Sequence, residues 1–161
     1  MPSRWRIIPA GLLGGVAGNG ALGVLFSSPP VRKVLYDPAL QSRLFIDVTS
    51  IRNIPLSVVG LVVLSVVHAW LFSVLSPSVP GRTWLRKGLF WGLTIWLMYW
   101  VFQEWFIYHT LLGEPWFLNL LELLLLLVGS LVEGVFISWT LKDGGGGRGA
   151  RHSPLTEPVC R

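Results

Sequence analysis

Apolar residues gather into four long runs separated by polar connections, at about 7–26, 54–75, 88–112 and 117–141. Each run holds roughly the 20 residues an α-helix needs to cross ~30 Å of hydrocarbon. The runs are continuous and lack the alternation of a barrel strand, so the pattern predicts helices. Helix punctuation falls at their ends. Asn53 can cap the second helix with Pro55 in its first turn, Pro115 opens the fourth, and Lys142 with Gly144 closes it. The expected fold is all-α: a four-helix integral membrane bundle over residues 1–142. A flexible basic tail follows over 143–161, where Gly144 to Gly147 have linker composition.

Composition narrows the class. The chain has 161 residues, 52% hydrophobic and only 13% charged, against about 25% charged in soluble domains. A disordered chain, a coiled coil and an ordinary soluble enzyme are all excluded. The one cysteine, Cys160, permits no internal disulfide and no Cys-based metal site. It is also misplaced for prenylation. The formal charge of +5 comes from basic residues that flank the apolar runs, so it reads as membrane topology and not as a nucleic-acid surface.

Their distribution orients the chain. Arg4, Arg6, Arg82, Arg86, Lys87, Lys142, Arg148, Arg151 and Arg161 fall on one side; Arg32, Lys33, Arg43 and Arg52 fall on the other. By the positive-inside rule both termini are expected in the cytoplasm of a bacterium, with the chain multi-pass in its inner membrane. Ala21-Leu22-Gly23 resembles a small-x-small cleavage site. The glycine-rich run before it makes a poor signal core, and the segment is expected to stay. The loop from Ser27 to Asn53 mixes Leu35, Leu40, Leu44, Phe45 and Ile46 with charges. It is expected to lie on the membrane surface, to dock on a partner, or to serve as an ordinary connection.

Two helices carry unusual surfaces. In the first, Gly11, Gly15 and Gly23 share a stripe with Asn19, and Gly14 and Gly18 form an adjacent small-x3-small pair. Such a face lets another backbone approach closely, either from a second subunit or from the same bundle. The third run holds nine aromatics, with Trp96, Tyr99 and Trp100 near mid-membrane and Trp105 further along. Ordinary packing explains that wall. So would a bound quinone, carotenoid or (bacterio)chlorophyll, with His68 as a single tetrapyrrole ligand.

Ionisable residues inside a membrane are candidates for function. Antiparallel depth arithmetic at 1.5 Å per residue sorts them into two levels. Glu104 and Glu122 lie ~10 Å below the outer surface, and His68 and Glu133 lie toward the cytoplasm. Glu122 and Glu133 are eleven residues apart and so share one helix face with Asn119 and Gly129. On the third helix Glu104 shares a face with Trp100 and Tyr108, while His109 is rotated away. Two facing carboxyls can share a proton or hold a cation; the blander expectation is a pair of polar contacts that lock helix register. The Glu-x-x-His spacing of di-iron bundles is missing, and His68 and His109 are not level enough for a bis-His haem. No nucleophile–base constellation, phosphate loop or metal motif is present.

The stretch Pro80-Gly81-Arg82-Thr83-Trp84-Leu85-Arg86-Lys87-Gly88-Leu89-Phe90-Trp91-Gly92-Leu93, with Ile54-Pro55 and Phe72 before it, resembles small bacterial four-helix membrane proteins without an assigned activity. The resemblance implies a compact four-helix bundle and says nothing of substrate. Together these features lead to the expectation of a non-catalytic accessory subunit of a larger membrane complex in respiratory or photosynthetic electron transport. Its partners would be other integral membrane subunits and the lipid bilayer, with no cofactor of its own beyond a bound lipid, quinone or pigment. The alternatives are a small proton- or cation-coupled transporter or channel using the carboxylates, and a quinone- or pigment-binding protein.

Overall fold

The computed structural model describes residues 4–51 and 53–142; the tail expected at 143–161 lies outside them. Every regular element among the described residues is helical. After a single 3-10 turn at Arg4–Arg6, the chain forms α1 (Ile7–Ser27), α2 (Pro29–Leu35), α3 (Arg43–Ser50), α4 (Ile54–Leu75), α5 (Trp84–Ile95) and α6 (Trp116–Leu141). Two π-helical stretches, Trp96–Trp100 and Gln103–Leu111, extend α5 into one helical rod. Helices α1, α4 and α6 are each long and apolar enough to cross a membrane, which makes this a membrane protein.

Local chemistry sets the ends. The Asn53 side chain accepts a hydrogen bond from the Leu56 N–H at 3.1 Å, and Pro55 follows in the first turn of α4. Thr83 does the same for α5 by accepting from the Arg86 N–H at 3.3 Å. The helix therefore starts at Trp84, before the apolar run that marked it at residue 88, because the cap precedes four residues of mixed polarity. Gly81 at φ 129° and Gly113 at φ 71° make the two turns that demand a left-handed backbone. The long loop after α1 is two short helices: Ser28 and the Pro29-Pro30 pair start α2, and α3 follows seven residues after α2 ends.

Small residues decide how the long helices pack. Helix α6 lies between α1 and the rod, and α4 lies against α1. A Cβ added to Gly11 would sit 2.5 Å from the Val66 Cα, and one on Gly15 would meet the Ser65 hydroxyl. Gly14 and Gly18 face Ile137, Glu133 and Gly129 of α6. On the other side of α6, Gly88 and Gly92 meet Ser130, Gly134 and Val135. Lipid supplies little hydrophobic drive between helices, so close backbone approach and van der Waals contact hold them. Between these seams a core forms from Ala10, Ala69, Phe72, Trp91, Ile137 and Leu141, with the Phe72 and Trp91 rings 5.7 Å apart. Large apolar side chains such as Val16, Val59, Met98 and Leu124 point outward, where hydrocarbon takes the place of water. The Arg6 guanidinium donates to the carbonyls of Thr140 and Lys142, satisfying the end of α6.

Candidate functional site

The second π-helical stretch carries Glu104. In such a stretch the backbone bonds run i to i+5, and the Leu112 N–H accordingly reaches the Ile107 carbonyl at 3.0 Å. The Glu104 side chain is 2% exposed, and its Oε2 has no hydrogen-bond partner. Asn119 of α6 ties this turn in place by donating from Nδ2 to the Glu104 carbonyl at 2.8 Å. One turn further along α6, Glu122 lines the same space as Glu104.

Both glutamates line a cavity of about 770 Å³ at the end of the molecule where α1 finishes and α6 begins. The rod contributes Tyr99, Trp100, Gln103 and Tyr108 to it; α1 contributes Asn19; α4 contributes Ser57 and Leu61. Over it lie the segment between α2 and α3, which adds Tyr36 and Gln41, and the first turn of α3, which adds Phe45. That cover is fastened. The Ser42 hydroxyl donates to the Leu112 carbonyl at 2.6 Å, and the Ser42 N–H donates to Glu114 Oε1 at 3.2 Å. Phe45 meets Tyr108 edge-on with centroids 5.6 Å apart. Burial pushes the Glu114 carboxyl above the usual carboxylate range, while the two Ser42 bonds pull it back.

A second polar place lies toward the other end. His68 Nδ1 and Glu133 Oε1 are 3.0 Å apart, and each residue is 8% exposed. They line a space of about 10 Å³ with Ser65 and Ser130, and the Ser130 Oγ is buried without a partner. Asn19, Leu61, Leu64 and Trp100 line both this space and the large cavity. Trp100 thus stands between the two polar levels.

The structure distributes the other candidate residues unevenly. Gly11, Gly14, Gly15 and Gly18 are occupied by α4 and α6 of the same chain, whereas Gly23 has nothing within 4 Å of its Cβ position. Asn19 donates to the Gly15 carbonyl at 2.8 Å. Trp96 gives its indole N–H to the Leu123 carbonyl at 2.8 Å, and Trp105 is 54% exposed with its ring tilted against that of His109. Of the three tryptophans expected to form one wall, only Trp100 reaches the cavity. His109 Nδ1 lies 2.7 Å from the Glu114 carbonyl, beside the turn that fastens the cover. No group of three or more His, Cys, Asp or Glu among the described residues is placed to hold a metal ion.

Sequence reasoning missed Tyr36, Gln41, Phe45 and Gln103 as lining residues, and it missed the Ser42–Glu114 fastening. It also passed over the small-x3-small pair Gly88 and Gly92, a pattern it had recognised in α1. No protein-family model matches this chain, and neither a curated protein nor a solved structure does.

Proposed function

We propose that this protein is a small proton- or cation-coupled transport protein whose working groups are Glu104 and Glu122. The observation that carries the reading is the nearly fully buried Glu104, its Oε2 unpartnered, beside Glu122 in a cavity of about 770 Å³. A carboxyl kept only to lock helix register would have its oxygens satisfied, because a buried unpaired polar atom costs about 1–3 kcal/mol. An intramembrane acid left unpaired in the wall of a cavity is placed to exchange a proton or a cation. The His68–Glu133 pair beyond Trp100 offers a second protonatable stop on the way across.

In this reading the rod from 84 to 111 is the fourth span, since it exceeds the ~20 residues a crossing needs. The nine-to-four distribution of basic residues supports the reading that both termini lie in the cytoplasm of a bacterial inner-membrane protein. The accessory-subunit alternative drew on a glycine face open to a partner, and four of those glycines already serve α4 and α6. The pigment alternative drew on a tryptophan wall from which Trp96 and Trp105 are turned away.

The test is reconstitution into liposomes loaded with a pH-sensitive dye, under an imposed potassium diffusion potential. Wild-type protein is expected to carry protons, and Glu104→Gln and Glu122→Gln to lose that flux with helicity and melting unchanged. Flux that survives both substitutions overturns the reading. So does a wild-type protein that conducts nothing but leaves its native membrane bound to other polypeptides at fixed stoichiometry.

A further inference from the structure

We infer that the occupant of the large cavity is an organic monocation, an alkylated or protonated amine with an apolar substituent; this rests on the cavity being the working site proposed above. Six aromatic side chains line it, three of them on the rod as Tyr99, Trp100 and Tyr108 and two on the cover as Tyr36 and Phe45. With them stand two carboxyls, and no Lys, Arg or His among the described residues lines the space. Ring faces carry partial negative charge and hold an ammonium best where water is excluded. Rings together with carboxyls therefore attract a cation and repel an anion.

Charge sets the valence. With one proton between them the two carboxyls carry a single negative charge, which one positive charge balances. A neutral solute would leave that charge buried and uncompensated. A bare metal cation would need several oxygens converging on one point, and aromatic walls do not supply them. Size favours an organic ion too, since a volume of about 770 Å³ is far larger than a dehydrated inorganic cation requires.

The apolar substituent has a place to go. Asn19 and Leu61 line both the cavity and a neighbouring groove of about 210 Å³ between α1 and α4. That groove is otherwise formed by apolar side chains, Ser65 and the bare backbone of Gly11 and Gly15. A cation seated among the rings can extend its hydrocarbon part along this groove.

Calorimetric titration of the full chain in mild detergent tests the assignment. The probes are choline, its neutral isostere 3,3-dimethylbutan-1-ol, benzyltrimethylammonium and sodium chloride. Choline is expected to bind at least about tenfold more tightly than the isostere, and benzyltrimethylammonium more tightly than choline. Glu122→Gln should weaken the ammonium probes by about tenfold or more. Tyr99→Leu should weaken them several-fold and leave the isostere unchanged, and it serves as the second variant should Glu122→Gln fail to fold. Equal binding of choline and its isostere, displacement of both ammonium probes by sodium at matched concentration, or no ammonium binding at millimolar levels overturns the assignment. Ammonium binding without any flux in liposomes would instead overturn transport and leave the assignment standing. Proton flux without ammonium binding would do the reverse.

Discussion

Substituting Gly92 by alanine adds one methyl group at the tightest part of the α5–α6 seam. The new Cβ would lie 2.6 Å from the Leu131 Cα and 2.9 Å from the Ser130 carbonyl carbon, well inside van der Waals contact. Both obstacles are backbone atoms, so no rotamer change relieves the clash and the two helices must separate. Overpacking of this kind costs about 1–3 kcal/mol. Gly20 of α1 is the internal control, because nothing lies within 4 Å of its Cβ position. There alanine gains the propensity difference of about 0.5–1 kcal/mol over glycine in a helix.

Circular-dichroism melts in one detergent read both changes. For a chain of this length 1 kcal/mol corresponds to about 2–4 °C in Tm. At the middle of the overpacking range, Gly92→Ala is thus expected to lower Tm by roughly 4–8 °C. Gly20→Ala should leave Tm unchanged or raise it by a few degrees. The Trp96–Leu123 hydrogen bond, 2.8 Å long across the same pair of helices, should weaken with the seam and shift tryptophan emission in Gly92→Ala alone. Equal melting of Gly92→Ala and wild type would refute the close-packing argument. So would a Gly20→Ala variant that loses as much stability as Gly92→Ala.

Other outcomes follow from the same geometry. The Glu114 carboxyl is held above its ordinary range when the cover is fastened, so the fastened state binds more protons than the open one. Fastening is therefore complete at low pH and is lost as pH rises through the raised value. Protection factors for residues 36–46 in hydrogen exchange should fall with rising pH in wild type and stay flat in Glu114→Gln. A wild-type segment that gains protection as pH rises would contradict this sign. Ser42→Ala removes the hydroxyl bond to the Leu112 carbonyl and should destabilise the fastened state by about 1 kcal/mol, read as about fivefold faster exchange of the same residues. For the His68–Glu133 contact, His68→Ala and Glu133→Ala are expected to couple by at least about 1 kcal/mol in a double-mutant cycle on unfolding; additivity would show that the 3.0 Å contact contributes nothing.

Much of the interior was readable before any coordinates, and the reason is regularity. Helix α6 runs unbroken from Trp116 to Leu141, so eleven residues do return Glu133 to the face of Glu122. Antiparallel depth alone puts His68 near Glu133. On the rod the expected face of Trp100, Glu104 and Tyr108 does meet one cavity, but hydropathy carries no signature of i to i+5 bonding, and Tyr99 and Gln103, which a count at 3.6 residues per turn leaves off that face, line the cavity too. The cover was illegible for a different reason. Ser42 and Glu114 are 72 residues apart, and nothing in either neighbourhood announces the other. The glycines of α1 were visible, but a bare backbone does not say which helix will fill it. That choice falls to Ser65 and Val66 on α4 and to Glu133 and Ile137 on α6.

The glycines also explain why a cavity survives in a medium that squeezes apolar walls together. Gly11, Gly14, Gly15, Gly88, Gly92 and Gly134 all meet neighbours closely and lie toward the end where α1 starts and α6 finishes, and Gly18 and Gly129 do so near mid-helix. Toward the opposite end Gly20, Gly23 and Gly60 touch nothing within 4 Å of their Cβ positions, and Tyr99, Trp100 and Tyr108 bring bulk in place of small side chains. One half of the molecule is thus held at backbone contact while the other is wedged by rings. The polar strain follows the same division of space. Among the described residues three buried side-chain atoms lack a hydrogen-bond partner: Trp91 Nε1, Glu104 Oε2 and Ser130 Oγ. Two of the three, on Glu104 and Ser130, belong to residues that line the cavity or the space beyond Trp100. Tight seams supply the stability that lets those two positions remain unsatisfied, so enlarging a seam residue and neutralising Glu104 should separate in their effect on the fold: the first loosens it, and the second leaves its melting unchanged.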